Sequence, residues 1–283
     1  MKRSISVNLN LNSVDYPKFR SIISSKKNDK IKRVHKLIKN GCKDYPFIIV
    51  DSSREILRAL DNGIKPLELY YSPDLIRTES SKEIIEKLLN SSIKFFELKK
   101  DVFESIAYRN NPDGVLLIAE FSLGNIKDIN LKEDTTILIL DGIEKPGNLG
   151  ALLRTADGGG VDYIIITNSV VNYKNPNVVR SSTGTIFKGN LYFADERELM
   201  LFLKKNSFRI ISASPHANKL YHQVDYSGRI AVAVGSEALG LSESLEKKCD
   251  ESVVIPMKGY ADSLNVNQAA TIILYEILKQ RSF

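Results

Sequence analysis

Apolar runs of four to six residues alternate with helix-length amphipathic stretches through most of this chain, and that rhythm leaves few architectures open. Residues 47–50 read as a buried strand. A helix over 54–60 follows, capped by Ser52 or Ser53 and stopped at Asn62-Gly63. Strands at 67–71, 93–98 and 114–119 interleave with helices at 82–89 and 102–107. The pattern predicts a small three-layer α/β unit with a mainly parallel sheet. Ahead of it, Ile31, Val34, Leu37 and Ile38 form an apolar stripe at helical spacing. Residues 120–134 lose the rhythm and gather Gly124, Asn125, Asp128, Asn130 and Asp134, as a linker does.

The alternation then resumes, with strands at 136–140, 163–166, 209–213, 230–234 and 253–255. Helices follow Asn148, with that residue as cap, and cover 196–204 and 264–279. The 283 residues therefore suit two domains, 1–119 and 135–283, joined by the linker. The closing helix carries Leu264, Val266, Ala269, Ala270, Ile272, Ile273, Leu274, Ile277 and Leu278 around most of its circumference. More than one side needs cover, and a subunit interface is a natural second partner.

Several chemistries are excluded early. Cys42 and Cys249 are far apart, and neither they nor His35, His216 and His222 show metal-ligand spacing, so no metal is expected. Two reduced thiols, a start without an apolar leader core, and no run near the ~20 apolar residues of a membrane span suggest a cytoplasmic protein. Gly158-Gly159-Gly160 follows a helix, and Tyr163 stands where a dinucleotide loop needs its last glycine. No phosphate loop, nucleophile elbow or hydrolytic acid pair is present.

Three polar turns remain: Asn148-Leu149-Gly150 leading to Arg154; Gly235-Ser236-Glu237-Ala238-Leu239-Gly240-Leu241; and Ile255-Pro256-Met257 followed by Ser263-Leu264-Asn265-Val266. Singly, each has an ordinary reading. Asn148, Ser263 and Asn265 suit helix starts, Glu237 suits a helix dipole, and Arg154 suits a surface. Together they supply backbone N–H and C=O groups, uncharged hydrogen-bonders and one fixed cation, which is a ligand cradle with a reactive corner.

In that order and spacing the three motifs resemble those of the SpoU/TrmH family of SPOUT RNA methyltransferases, over residues 136–280. Arg180-Ser181-Ser182-Thr183-Gly184 is similar to the family's polar loop between the first two motifs. The first domain more weakly resembles its ribosomal-protein-like substrate-binding domain. Asn267 departs from the small Ser or Ala of many relatives, as Asp51-Ser52 does from their Glu-Gly. The resemblance implies a C-terminal SPOUT α/β domain with a deep trefoil knot behind an α/β/α substrate-binding domain. It also implies a homodimer through the closing helices and S-adenosylmethionine bound in the knotted loops. Ser212, Ala213, Gly235, Ile255, Pro256, Met257, Ser263 and Leu264 would hold the cofactor. Methyl transfer to a ribose 2′-oxygen would rest on Arg154, with Asn148, Glu237, Ser263 and Asn265 orienting it.

The charge agrees with an RNA partner. The net charge of +6 is uneven: residues 1–118 carry +7 and residues 119–283 carry −1. Between 18 and 43 lie ten basic residues, beginning with Lys18 and Arg20, against Asp29 alone. A charge run is often only a solvated face, but this density suits a polyanion. Lys26, Lys27, Lys32 and Arg33, with Arg180 and Ser181, are the expected RNA contacts. Ribosomal RNA is the leading substrate; the alternatives are transfer RNA, or an RNA-binding protein that kept the fold without catalysis.

Overall fold

The computed structural model describes residues 22–282; Lys18 and Arg20 lie outside that range. The first unit runs α1 (Asp29–Asn40), β1 (Phe47–Val50), α2 (Ser53–Asp61), β2 (Pro66–Tyr71), α3 (Glu79–Leu89), β3 (Lys94–Glu97), α4 (Lys100–Ile106) and β4 (Val115–Glu120). Asn28 caps α1 by accepting from the Lys30 N–H, and Ile31, Val34 and Leu37 point inward. At α2 the capping differs from expectation. Ser52 occupies the cap position without a side-chain bond, and Asp113 instead accepts from both the N–H and the hydroxyl of Ser53.

The sheet order is β1-β4-β2-β3, and only the β2–β3 pair is parallel. The expectation of a mainly parallel sheet fails here. β4 inserts between β1 and β2, antiparallel to both. β4 is buried from Val115 to Ala119 and apolar throughout that run, so it carries no alternation that could reveal its direction.

The connecting stretch is partly structured. β5 (Gly124–Asn125) pairs with a strand of the second sheet, and a 3₁₀ turn over Ile126–Asp128 buries Ile126. The second unit continues with β6 (Thr136–Asp141), α5 (Pro146–Gly158), β7 (Tyr163–Thr167), α6 (Pro176–Ser181), β8 (Leu191–Phe193), α7 (Glu196–Lys205) and β9 (Arg209–Ala213). Then come β10 (Lys219–Leu220), β11 (Ile230–Val234), α8 (Glu243–Glu246), β12 (Glu251–Val254) and α9 (Val266–Ser282).

Its eight strands are all parallel, in the order β10-β12-β9-β11-β6-β7-β8-β5. Strand parity divides the core. Leu138, Leu140, Val232 and Val234 face α5 and α9, while Ile137, Ile139, Ala231 and Ala233 face Leu199 and Leu203 of α7. α9 buries Val266, Ala270, Ile273, Leu274 and Ile277 yet leaves Tyr275 exposed.

The two units share one core. Phe121 packs edge-on to Phe187 at 5.6 Å and to Tyr173 at 6.1 Å, each contact contributing about 0.5–1.5 kcal/mol beyond burial. Polar latches flank it. Arg58 of α2 donates to the carbonyl and hydroxyl of Thr183, Asn172 donates to Gly41 O at 2.7 Å, and the buried Lys174 ammonium reaches Tyr45 O. Cys42 and Cys249 are free thiols, and burial pushes each up to about 11. Among the described residues no helix is long and apolar enough to cross a membrane.

Candidate active site

The turns after β9, β11 and β12 meet at the C-terminal ends of the parallel strands, where open α/β sheets place their ligands. They enclose a cavity of about 320 Å³ whose walls include Ala213, Gly235, Leu239, Ile255, Met257 and Leu264. Gly235 is dictated by packing. A Cβ there would lie 2.0 Å from Gly240 O, because Ser236 and Gly240 exchange both backbone hydrogen bonds and fold 236–240 back on the strand end. Asp141, buried at the end of β6, steadies the same turn by accepting from the Ser242 N–H at 2.7 Å and from Asn168 Nδ2 at 2.8 Å.

Beside the cavity stands a polar corner built on Glu237. Its carboxylate accepts from Lys145 Nζ at 2.5 Å and from Asn265 Nδ2, and Asn148 also bonds it. The Lys145 hydrogen bond is the largest influence holding the Glu237 carboxyl below its usual range. One side chain thereby joins the first turn of α5, the turn after β11 and the start of α9. Asn265 further accepts from the Asn267 N–H, and Asn267 accepts from the Thr155 hydroxyl at 2.8 Å, tying α9 to α5 a second time.

Gly150 sets how closely α5 approaches α6. An added Cβ would fall 1.9 Å from Ser181 Oγ and 2.5 Å from Val178 O. Ser181, expected as an RNA contact, packs here against α5, with its half-buried hydroxyl donating to Asn177 O at 2.6 Å. Arg180 beside it is exposed.

A model of the SpoU rRNA Methylase family matches residues 135–275, and one of the MRM3-like substrate binding domain matches residues 28–117. A Staphylococcus aureus protein assigned to the TrmH family of tRNA/rRNA methyltransferases is 30% identical over 212 residues, 73% of this chain and 86% of that one. One from Staphylococcus saprophyticus is 35% identical over 150 residues, which span 60% of its length. The crystal structure of an RNA 2′-O ribose methyltransferase superposes with a TM-score of 0.81 at 30% identity, covering 93% of this chain and all of that one. An AdoMet-bound rRNA methyltransferase from Sinorhizobium meliloti gives 0.84 at 25% identity, covering 92% and 98%. The chain belongs to the SpoU/TrmH family of RNA methyltransferases.

The cofactor of this SpoU/TrmH protein is S-adenosylmethionine, and the cavity has the size and make-up for it. Apolar walls from Val253, Ile255, Leu264 and Ala269 suit an adenine, and backbone groups bared at Gly235 can read its edge. Ser214, His216, Glu246 and Asp262 add polar groups to the cavity lining. Of the cofactor residues expected, Ala213, Gly235, Ile255, Met257, Ser263 and Leu264 line the cavity.

Ser212 and Pro256 are not among its walls. Ser212 is fully buried beneath the floor, its hydroxyl bonded to that of Ser252 at 2.6 Å, because a strand residue next to an inward-facing one points to the opposite face. Asn148 also departs from expectation. Pro146 takes the first helical position, so α5 begins earlier, Lys145 holds the cap position, and Asn148 lies within the first turn, turned to Glu237.

Arg154 is exposed, six residues and about 9 Å along α5 from Asn148, and it lies outside the cavity walls of its own chain. Lys145 and Asp141 escape a reading of motifs. Lys145 did carry a signal, since a cation at a helix start opposes the helix dipole and calls for a carboxylate partner.

The expected RNA contacts divide. Lys26 and Lys27 are exposed, with no side-chain ion pair among the described residues. Lys32 is paired with Asp29 at 2.9 Å, and Arg33 with Glu68 at 2.7 Å while it also lies over the Phe47 ring.

Proposed function

We propose that this protein transfers a methyl group from S-adenosylmethionine to a ribose 2′-hydroxyl, with ribosomal RNA as substrate. The observation that carries the reading is the Glu237 corner, where three distant elements converge next to a cofactor-sized cavity. The extent of the match to an RNA 2′-O ribose methyltransferase supports the choice of atom. The two-unit match to an rRNA methyltransferase supports the choice of RNA.

S-adenosylmethionine supplies a methyl already activated on a sulfonium, so the protein's task is to present the ribose oxygen in line. Glu237 clamps Asn148 and Asn265 so that their amides border the ribose. Arg154 remains a cation at any working pH and cannot serve as a base. It acts instead as an electrostatic clamp on an RNA phosphate or on charge developing at the 2′-oxygen. Ser263, exposed at the rim, completes the ring of small hydrogen-bonders.

The quaternary reading is a homodimer through α9, supported by the exposed Tyr275 on a helix whose other faces are already packed. A trefoil knot is supported by the strand order. β12 lies beyond β9, and the chain then returns as α9 against α5. A cytoplasmic location fits the free thiols.

Tritiated methyl transfer into fractionated ribosomal and transfer RNA tests the whole reading. Label in one ribosomal RNA, lost at least a hundredfold in Arg154→Ala and not restored by Arg154→Lys, is the expected result. Label in transfer RNA would move the substrate to that class. Cofactor binding without label in any fraction would favour an RNA-binding protein.

A further inference from the structure

Away from the cofactor cavity, three guanidinium groups from separate parts of the chain converge on one cleft of about 530 Å³. Arg54 comes from α2, Arg109 from the turn before β4, and Arg180 from α6; Tyr108, Asn110 and Asn111 complete the lining. Like charges gather only where something holds them, and here the holder is Glu55. Its side chain is 1% exposed. Oε1 accepts from Arg54 Nε at 2.9 Å and Nη2 at 2.6 Å, and Oε2 accepts from Arg109 Nη2 at 3.3 Å. A buried carboxylate costs stability unless it is paired, so this one fixes two arginines in place rather than serving a reaction.

The other acids nearby are already engaged. Asp113 lies 4.0 Å from Arg109 but spends Oδ2 on the start of α2, and Asp51 accepts from the Tyr108 N–H. Donor capacity is left over. Arg109 Nε is buried without a hydrogen-bond partner, and Arg180 is exposed with no ion pair among the described residues. The Tyr108 side chain is exposed beside them.

Planar donor forks, two side-chain amides and an open aromatic ring match a single nucleic-acid strand. The forks fit phosphate oxygens, the amides fit sugar or base edges, and the ring stacks on an unpaired base. The cleft also adjoins the reactive end of the molecule, because Arg180 precedes the Ser181 that packs on Gly150 of α5. We propose, resting on the RNA-methyltransferase reading, that this cleft grips the substrate RNA strand beside the modified nucleotide and bridges the two units within one chain. Arg54, Arg109 and Arg180 would take backbone phosphates, and Tyr108 would stack a base.

The test uses the full chain with fluorescein-labelled ribosomal RNA fragments and transfer RNA, titrated across a series of salt concentrations. Arg54→Ala, Arg180→Ala and Tyr108→Ala are each expected to weaken RNA binding about tenfold. Each arginine change should also flatten the log–log salt slope by about 0.7, whereas Tyr108→Ala should leave the slope unchanged. S-adenosylmethionine affinity should stay as in the wild type. Arg54→Ala and Arg109→Ala each strip the buried Glu55 of a partner and risk misfolding, so Arg109→Lys replaces Arg109→Ala, and Arg54→Ala is read beside Arg54→Lys with a thermal melt to confirm the fold.

If the wild type binds RNA while all three alanine variants retain its affinity and salt slope, the cleft assignment is wrong and the methyltransferase reading stands. If the wild type binds no RNA and transfers no methyl, both fall. The cleft is tested by binding alone, so a protein that binds RNA without methylating it still upholds or overturns the assignment.

Discussion

Glu237 shows how much one side chain can hold together. Its partners Lys145 and Asn148 come from the start of α5 and Asn265 from the start of α9, and the Lys145 bond holds its pKa below the usual carboxylate range. A carboxylate with a lowered folded-state pKa contributes stability above the ordinary carboxylate range and loses it as pH falls through the lowered value. Glu237→Gln is therefore expected to weaken S-adenosylmethionine binding at about pH 7 and to lower Tm there, with the gap in Tm to wild type closing below about pH 4. Calorimetric titration and thermal melts across that range check it, and a gap that ignores pH would mean the charge is not what holds the corner.

At this scale the motifs were readable as an ordered set, since each of Asn148, Glu237, Ser263 and Asn265 alone suits an ordinary helix start or helix dipole. Lys145 and Asp141 were not, since their partners lie 92 and 101 residues away. Nor was the fixing of Arg54 and Arg109 by Glu55, which depends on a turn 54 residues on.

Among elements, the crossing of α5 and α6 is the tightest constraint. Gly150→Ala would bring a methyl against Ser181 Oγ, Val178 O and the Ser182 N–H at 1.9, 2.5 and 2.7 Å. Two of those atoms are backbone, so truncating Ser181 cannot relieve the clash. The substitution is expected to destabilise by about 1–3 kcal/mol, seen as a lowered Tm, and Ser181→Ala is expected not to rescue it. Rescue would mean that the helices can slide apart.

The longer strands and helices are legible from periodicity, whereas β5, α6, β8, β10 and α8, of two to six residues each, are too short to show a period. The direction of β4 was not legible either. A strand covered on both faces has the same all-apolar composition whichever way it runs, and only its neighbours decide. The early start of α5 was missed for a different reason: Pro146 suited the first helical position, but Asn148 drew the cap assignment.

For the whole molecule, the remaining face of α9 is the place to test assembly. Tyr275 is 49% exposed, and its hydroxyl lies close to Gly158 of α5. On the homodimer reading, Tyr275→Arg is expected to yield a monomer by light scattering and to abolish methyl transfer while the fold persists. A dimer that survives the change would place the interface elsewhere.

The short connection through β5 has a consequence for how RNA reaches the chemistry. From Glu120 at the end of β4 to Gly124 on the second sheet, the chain can span no more than about 14 Å. A leash that short behaves as a fixed coupling and not as a polymer tether. RNA captured by the first unit would meet the cofactor cavity of its own chain at an effective concentration on the order of millimolar or above. Lengthening 122–123 with flexible residues would slacken the leash and leave the Phe121 contacts and the Arg58, Asn172 and Lys174 latches to keep the handover unimolecular.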